Sequence, residues 1–194
     1  MGNTLPETGP RTATVASTMA TTRRRLLGAC ALLLLLPLST QSAQRPAPDF
    51  TLPRLTAPAA DAPENRSAPA SVSLAQFRGR VVYLDFWATW CPPCRQSFPW
   101  MDEMAERYRE DGLSIIAIGL DRKAEQAQRF LQTAQPGFIV AHDADGDVAT
   151  AYRLRAMPTS FLIDREGRIV STHIGFRPED RQQLETRIQE LLDQ

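Results

Sequence analysis

Two cysteines three positions apart, in Trp90-Cys91-Pro92-Pro93-Cys94, are the residues of this chain best placed to do chemistry. Thiols at that spacing can close a small disulfide ring. If a helix begins between them, the first sulfur lies over unpaired backbone N–H groups and the positive end of the helix dipole. Both favour thiolate, the attacking species in disulfide exchange. Pro93 suits a first helical turn, where its missing N–H costs nothing. A purely structural Cys91–Cys94 bond would close too short a loop to add much through chain entropy. A zinc centre wants four ligands, and only His142 and His173 remain as soft donors, at no ligand spacing from each other. Dithiol redox chemistry is therefore expected, with no metal. Asp85 is a second candidate. It lies six residues before Cys91 inside an apolar run, where burial would raise its carboxyl pKa and make it a proton acceptor and donor near neutral pH. A solvent-facing strand Asp is the alternative.

The elements needed to hold these residues are legible nearby. Val81 to Trp87 predicts a buried strand that ends just before the cysteines. Arg95 to Arg109 predicts an amphipathic helix, with Phe98, Met101, Met104, Ala105 and Tyr108 at three- and four-residue spacing. Leu113 to Leu120 and Phe138 to Ala141 read as strands, Lys123 to Thr133 and Asp147 to Tyr152 as helices. Ser160 to Asp164 and Ile169 to Ile174 form a hairpin around Arg165-Glu166-Gly167, and Pro178 to Leu192 closes the chain as a helix. Strands interleaved with helices predict an α/β layer, without internal repeats. Asp143-Ala144-Asp145-Gly146-Asp147 does not fit a calcium loop, since its Gly falls at the fourth position and Leu154 stands at the twelfth. It is expected to be a turn capping the next helix.

The amino-terminal part has a different character. Arg23-Arg24-Arg25, the apolar run Leu26 to Leu38 and the small residues Ser39 to Ala43 follow the order of a secretory signal, with cleavage after Ser42 or Ala43. Residues 1–18 precede a conventional start at Met19 and are expected to be a spurious extension; residues 19–43 are the signal. The run is short for a membrane span and contains Pro37, so an uncleaved anchor, which would bring membrane contact, is the alternative. Thr22 to Leu27 also resembles a twin-arginine signal, although any basic leader can hold arginines. Leu27-Gly28-Ala29-Cys30 imitates a lipoprotein box but precedes the apolar run instead of following it, so Cys30 is read as part of the discarded signal. Leu5-Pro6-Glu7-Thr8-Gly9 matches a sortase motif at the wrong end of the chain.

The 194-residue chain has a formal net charge of zero, but four arginines and one acid lie before Arg45, leaving the rest mildly acidic. Such a body offers no basic stripe for nucleic acid. Only Cys91 and Cys94 remain beyond the signal, a pair used for chemistry and not as a scaffold. Residues 44–71 comprise an extended entry segment (Arg45 to Leu55) and an Ala/Pro-rich loop (Ala57 to Ala70); residues 72–194 form the domain.

Four stretches resemble the exported TlpA/ResA/DsbE-like group of thioredoxin-fold proteins: Ala47 to Leu52, Leu74 to Arg80, Phe86 to Cys94, and Met157-Pro158-Thr159-Ser160-Phe161-Leu162-Ile163-Asp164. The resemblance runs from about Pro48 to Leu192 and implies a thioredoxin fold, a central mixed β-sheet flanked by helices. It implies that Cys91 is the exposed nucleophile and Cys94 the buried resolving thiol, with Asp85 exchanging protons behind Cys94. It also implies that Pro158 is cis and walls a groove, formed with Trp90, Pro92, Pro93 and Met157, in which substrate pairs with Met157 backbone groups. Thioredoxin's lysine partner of the Asp is replaced by Ala117 here. Members serving cytochrome c maturation often carry Glu where this chain has Ser97. The implied activity is protein-disulfide oxidoreduction outside the cytoplasm, in the periplasm, without a bound cofactor. Its partners are protein thiols and disulfides and an upstream redox protein, a membrane thiol–disulfide transporter being one candidate. A reductant is the expected direction; an oxidase or isomerase is the runner-up. Peroxide reduction lacks its Pro-x-x-x-Thr-x-x-Cys setting, and a redox sensor or haem-binding chaperone would use the groove without turnover.

Overall fold

The computed structural model describes residues 45–55 and 71–194. The expected extension (1–18), signal (19–43) and Ala/Pro-rich loop lie outside the described residues. Strands β1 (Thr51–Pro53) and β2 (Ser71–Ser73) pair antiparallel as a small separate sheet. The chain continues through β3 (Val81–Trp87), α1 (Pro92–Tyr108), β4 (Leu113–Gly119), α2 (Ala124–Ala134), β5 (Ile139–His142), α3 (Asp147–Ala151), β6 (Thr159–Ile163), β7 (Ile169–Ile174) and α4 (Arg181–Leu192). The main sheet has the order β5-β4-β3-β6-β7. Strands β3, β4 and β5 run parallel, and β6 and β7 are antiparallel to their neighbours.

All seven residues of β3 and all seven of β4 are buried, as expected for central strands covered on both faces. Alternation sends Val81, Tyr83 and Trp87 into a cluster with Met101 and Met104 of α1, Leu131 of α2 and Ile188 of α4. Val82, Leu84 and Phe86 point the other way, where Phe50 and Leu52 of the entry segment and Tyr152 complete a second cluster. The entry segment is fastened by Ala47 N donating to Gly167 O (2.9 Å), Leu55 N to Val140 O (2.8 Å) and Tyr152 Oη to Pro48 O (2.8 Å). It is part of the domain's core and not a lead-in to it.

Most element positions match the sequence reading, with two differences. Helix α1 begins at Pro92, between the two cysteines, ahead of the amphipathic stretch from Arg95, because Cys91 serves as its N-cap and both prolines fit the first turn. The expected helix from Pro178 splits into a 3-10 turn, Pro178–Asp180, and α4, with Asp180 Oδ2 accepting from Arg177 N at 2.9 Å. The acidic run 143–147 is a helix-capping turn as expected: Asp143 Oδ2 accepts from Ala149 N at 2.9 Å.

Candidate active site

The loop between β3 and α1 is short and held from outside. Leu120 N donates to Trp87 O at 2.9 Å, and Cys91 N donates to Ala88 O at 3.1 Å. Asp121, buried just beyond β4, accepts from both Thr89 N (3.0 Å) and Thr89 Oγ1 (2.6 Å). His142 Nε2 reaches the Asp121 carbonyl at 2.6 Å. Sequence reasoning missed Asp121. Its signal was an acid at the carboxyl end of a parallel strand beside the one that delivers the cysteines, the edge at which α/β sheets place their functional groups.

Cys91 and Cys94 form a disulfide, with Cα atoms 5.3 Å apart. Cys91 Sγ accepts from Cys94 N at 3.3 Å, and Cys91 O accepts from Arg95 N at 3.2 Å. The first sulfur therefore sits on the amino end of a 17-residue helix whose first turn holds no acidic residue to offset the dipole. The expectation of an exposed Cys91 needs correction. It is only 4% exposed against 0% for Cys94, because Trp90 and the prolines surround it, so the difference in access is one of degree. Trp90 itself is 68% exposed.

The Met157–Pro158 peptide bond is cis, as the resemblance implied. Beside the disulfide lies an open groove of about 540 Å³ between Trp90, Pro92 and Pro93 on one side and Arg155, Ala156 and Met157 on the other. Pro158 does not line it: the proline is buried, its carbonyl accepting from Gly175 N at 2.8 Å, and it shapes the turn that presents Met157. Arg155, the one charged residue on the groove, was not anticipated from the sequence.

Asp85 is buried in the middle of β3, 2% exposed, which removes the solvent-facing alternative. It stands opposite Ala117 of β4 and Ser160 of β6, on the sheet face that Cys94 packs against. Burial pushes its carboxyl well above the usual carboxylate range, and Oδ2 has no hydrogen-bond partner. The same burial, reinforced by the nearby Asp85 charge, keeps the Tyr83 hydroxyl protonated. Ser97 is buried one turn beyond Cys94, its Oγ donating to Cys94 O at 2.8 Å. Among the described residues no cluster of three or more His, Cys, Asp or Glu could hold a metal ion, and no helix is long and apolar enough to cross a membrane.

A five-stranded mixed sheet, a disulfide at the head of α1 and a cis-proline turn beside it define a protein of the thioredoxin fold. The chain belongs to the Redoxin family, whose model matches residues 42–188. It is 36% identical over 114 residues to the thiol-disulfide oxidoreductase ResA of Bacillus thuringiensis, covering 59% of this chain and 65% of that protein. With ResA of Bacillus cereus it shares 35% over 120 residues, 62% of this chain and 68% of the relative. The crystal structure of a candidate thiol:disulfide interchange protein DsbE from Chlorobium tepidum superposes with a TM-score of 0.69 at 43% identity, over 77% of this chain and 96% of that one. These relatives bear out the likeness to the TlpA/ResA/DsbE-like group.

Proposed function

We propose that this protein is an exported thiol–disulfide oxidoreductase that exchanges its Cys91–Cys94 pair with protein substrates, working as a reductant. The observation that carries the reading is Cys91 Sγ, seated at the amino end of α1 and opening onto the groove between Trp90 and Met157. In the reduced protein the Cys91 thiolate attacks a substrate disulfide. A bond forms between Cys91 and one substrate sulfur, and the other substrate sulfur leaves as thiolate. Cys94 then passes its thiol proton to the Asp85 carboxylate and attacks Cys91 Sγ. The Cys91–Cys94 bond forms, the mixed disulfide breaks, and the second substrate sulfur departs with the electron pair. Trp90, Pro92, Pro93 and Met157 bound the substrate, with Pro158 holding the turn. An upstream redox protein, a membrane-embedded thiol–disulfide transporter being the candidate, returns two electrons. Export is supported by the signal-like residues 19–43 and by a cysteine inventory reduced to this pair beyond them.

The test is trapping. Cys94→Ser should accumulate mixed disulfides with substrate proteins through Cys91, whereas Cys91→Ser should accumulate almost none; the reverse pattern would exchange the two roles. A measured reduction potential decides the direction. Values near the roughly −270 mV of thioredoxin fit a reductant, and values near the roughly −120 mV of a strong periplasmic oxidant would reverse it.

A further inference from the structure

A row of polar residues crosses the sheet beneath the disulfide. Asp85 of β3 is the direct partner of Ser160 on β6, and Ser160 is the direct partner of His173 on β7. Directly opposed residues share a face, with Cβ atoms about 5 Å apart, so the three side chains line up over about 10 Å. On the other side of Asp85 the row ends at the Ala117 methyl. The inner end is closed to solvent, whereas the His173 side chain is 26% exposed and its Nε2 lies 3.4 Å from Asp180 Oδ2. Neither Asp85 Oδ2 nor His173 Nε2 makes a hydrogen bond; both atoms are buried, and Nε2 has only the Asp180 carboxylate across from it. Between Asp85 and His173 the Ser160 hydroxyl shares a pocket with Tyr83 of β3. Tyr83, Ser160 and His173 line one small pocket of about 10 Å³, room for a single water among polar partners.

We propose that Ser160 and His173 form the proton route between Asp85 and solvent. The proposal rests on the role given above to Asp85 and adds the path that role requires. Burial favours the neutral Asp85 carboxyl in a site with no direct access to water, so before it can take the proton of Cys94 it must give up its own. That proton passes to Ser160 as the serine's own proton moves, directly or through a water taken up in that pocket, to His173 Nε2. The imidazole then releases it to Asp180, whose Oδ2 lies 3.4 Å from Nε2, and so to solvent. Histidine suits the outer station because its ring can both accept and donate a proton. The ionisable groups facing this path are Tyr83 from β3, Arg187 from α4 and Asp180 from the turn before α4, while Cys94 enters the same cluster from α1. Tyr83 stays protonated and carries no charge beside the path.

The experiment follows single-turnover closure of the Cys91–Cys94 disulfide in the reduced, intact protein, across pH and at low and high imidazole. His173→Ala should slow the resolving step about ten-fold in weak buffer, less than the ~10²–10⁴ expected of a group acting directly on the reacting atoms. Added imidazole should restore the rate through the opened surface. His173→Gln, which keeps size and hydrogen bonding at the strand, should show the same loss. In an Asp85→Asn background neither substitution should slow the step further. Asp85→Asn slowing resolution while both His173 variants match the parent would overturn the route and leave the role of Asp85 standing. A His173 effect that ignores imidazole, or that persists in Asp85→Asn, would equally overturn it. A parent protein that exchanges no disulfides would remove the proposed function and the route together.

Discussion

Replacing Asp85 by Asn should make the oxidised protein more stable, by an amount that grows with pH along a slope set by one proton. Asp85 has no hydrogen-bond partner at Oδ2 and sits between the Ala117 methyl and Ser160, so burial favours its neutral form. In the unfolded chain an aspartate loses its proton near pH 4. Above that value the unfolded state has released a proton that the folded state still holds. Stability then falls as pH rises, by about 1.4 kcal/mol per pH unit, until the folded carboxyl itself ionises and the loss levels off. The amide of the Asp85→Asn variant has no such proton to hold or release. The difference in unfolding free energy, variant minus parent, should be flat below about pH 4 and then climb at about 1.4 kcal/mol per unit to a plateau. The bend marks the folded pKa. Other groups titrate alike in both proteins and cancel, and the disulfide keeps both cysteines out of the balance. Urea unfolding of the two oxidised proteins over a pH series measures the curve. A difference independent of pH, or one that shrinks as pH rises, would refute the buried, proton-holding Asp85.

Asp121→Ala strips Thr89 of its acceptor at both N and Oγ1 in a part-buried site, which should cost about 1–3 kcal/mol in urea unfolding and slow disulfide exchange by loosening the loop before Cys91. Ser97→Glu should raise the Cys91 thiol pKa by like-charge repulsion, read from thiolate absorbance. Because Ser97 is buried, the larger side chain should also cost about 1–3 kcal/mol of overpacking, so equal thiol pKa values with intact stability would contradict both effects. Amino-terminal sequencing of the exported protein should find a start at Ala43 or Gln44; a membrane-retained product still carrying Leu26 to Leu38 would favour the anchor instead.

What the sequence determined by itself is what neighbouring residues decide between them. Cys91 and Cys94 are three positions apart, so their pairing and their seat on a helix start follow from local geometry and from prolines that fit a first turn. The apolar run of β3, the hairpin around Arg165-Glu166-Gly167 and the periodic helix faces are similarly local, and were legible. The capping of α1 by the Cys91 sulfur was not legible, because sulfur is a rare N-cap acceptor. Register and packing lay beyond any local pattern. Only strand pairing sets Asp85 between Ala117 and Ser160 and puts His173 at the end of the same row, since a slip of one residue would turn every side chain to the other face. Asp121 reaches Thr89 across 32 positions because β3 and β4 lie side by side and end together. Cys91's slight exposure and the presence of Arg155 on the groove depend on how the turn before Pro158 folds over the head of α1. The chemistry of the dithiol is carried by adjacent residues. The buried acid behind it and the groove beside it are assembled from strands and loops far apart in the chain, and their proximity is a property of the sheet.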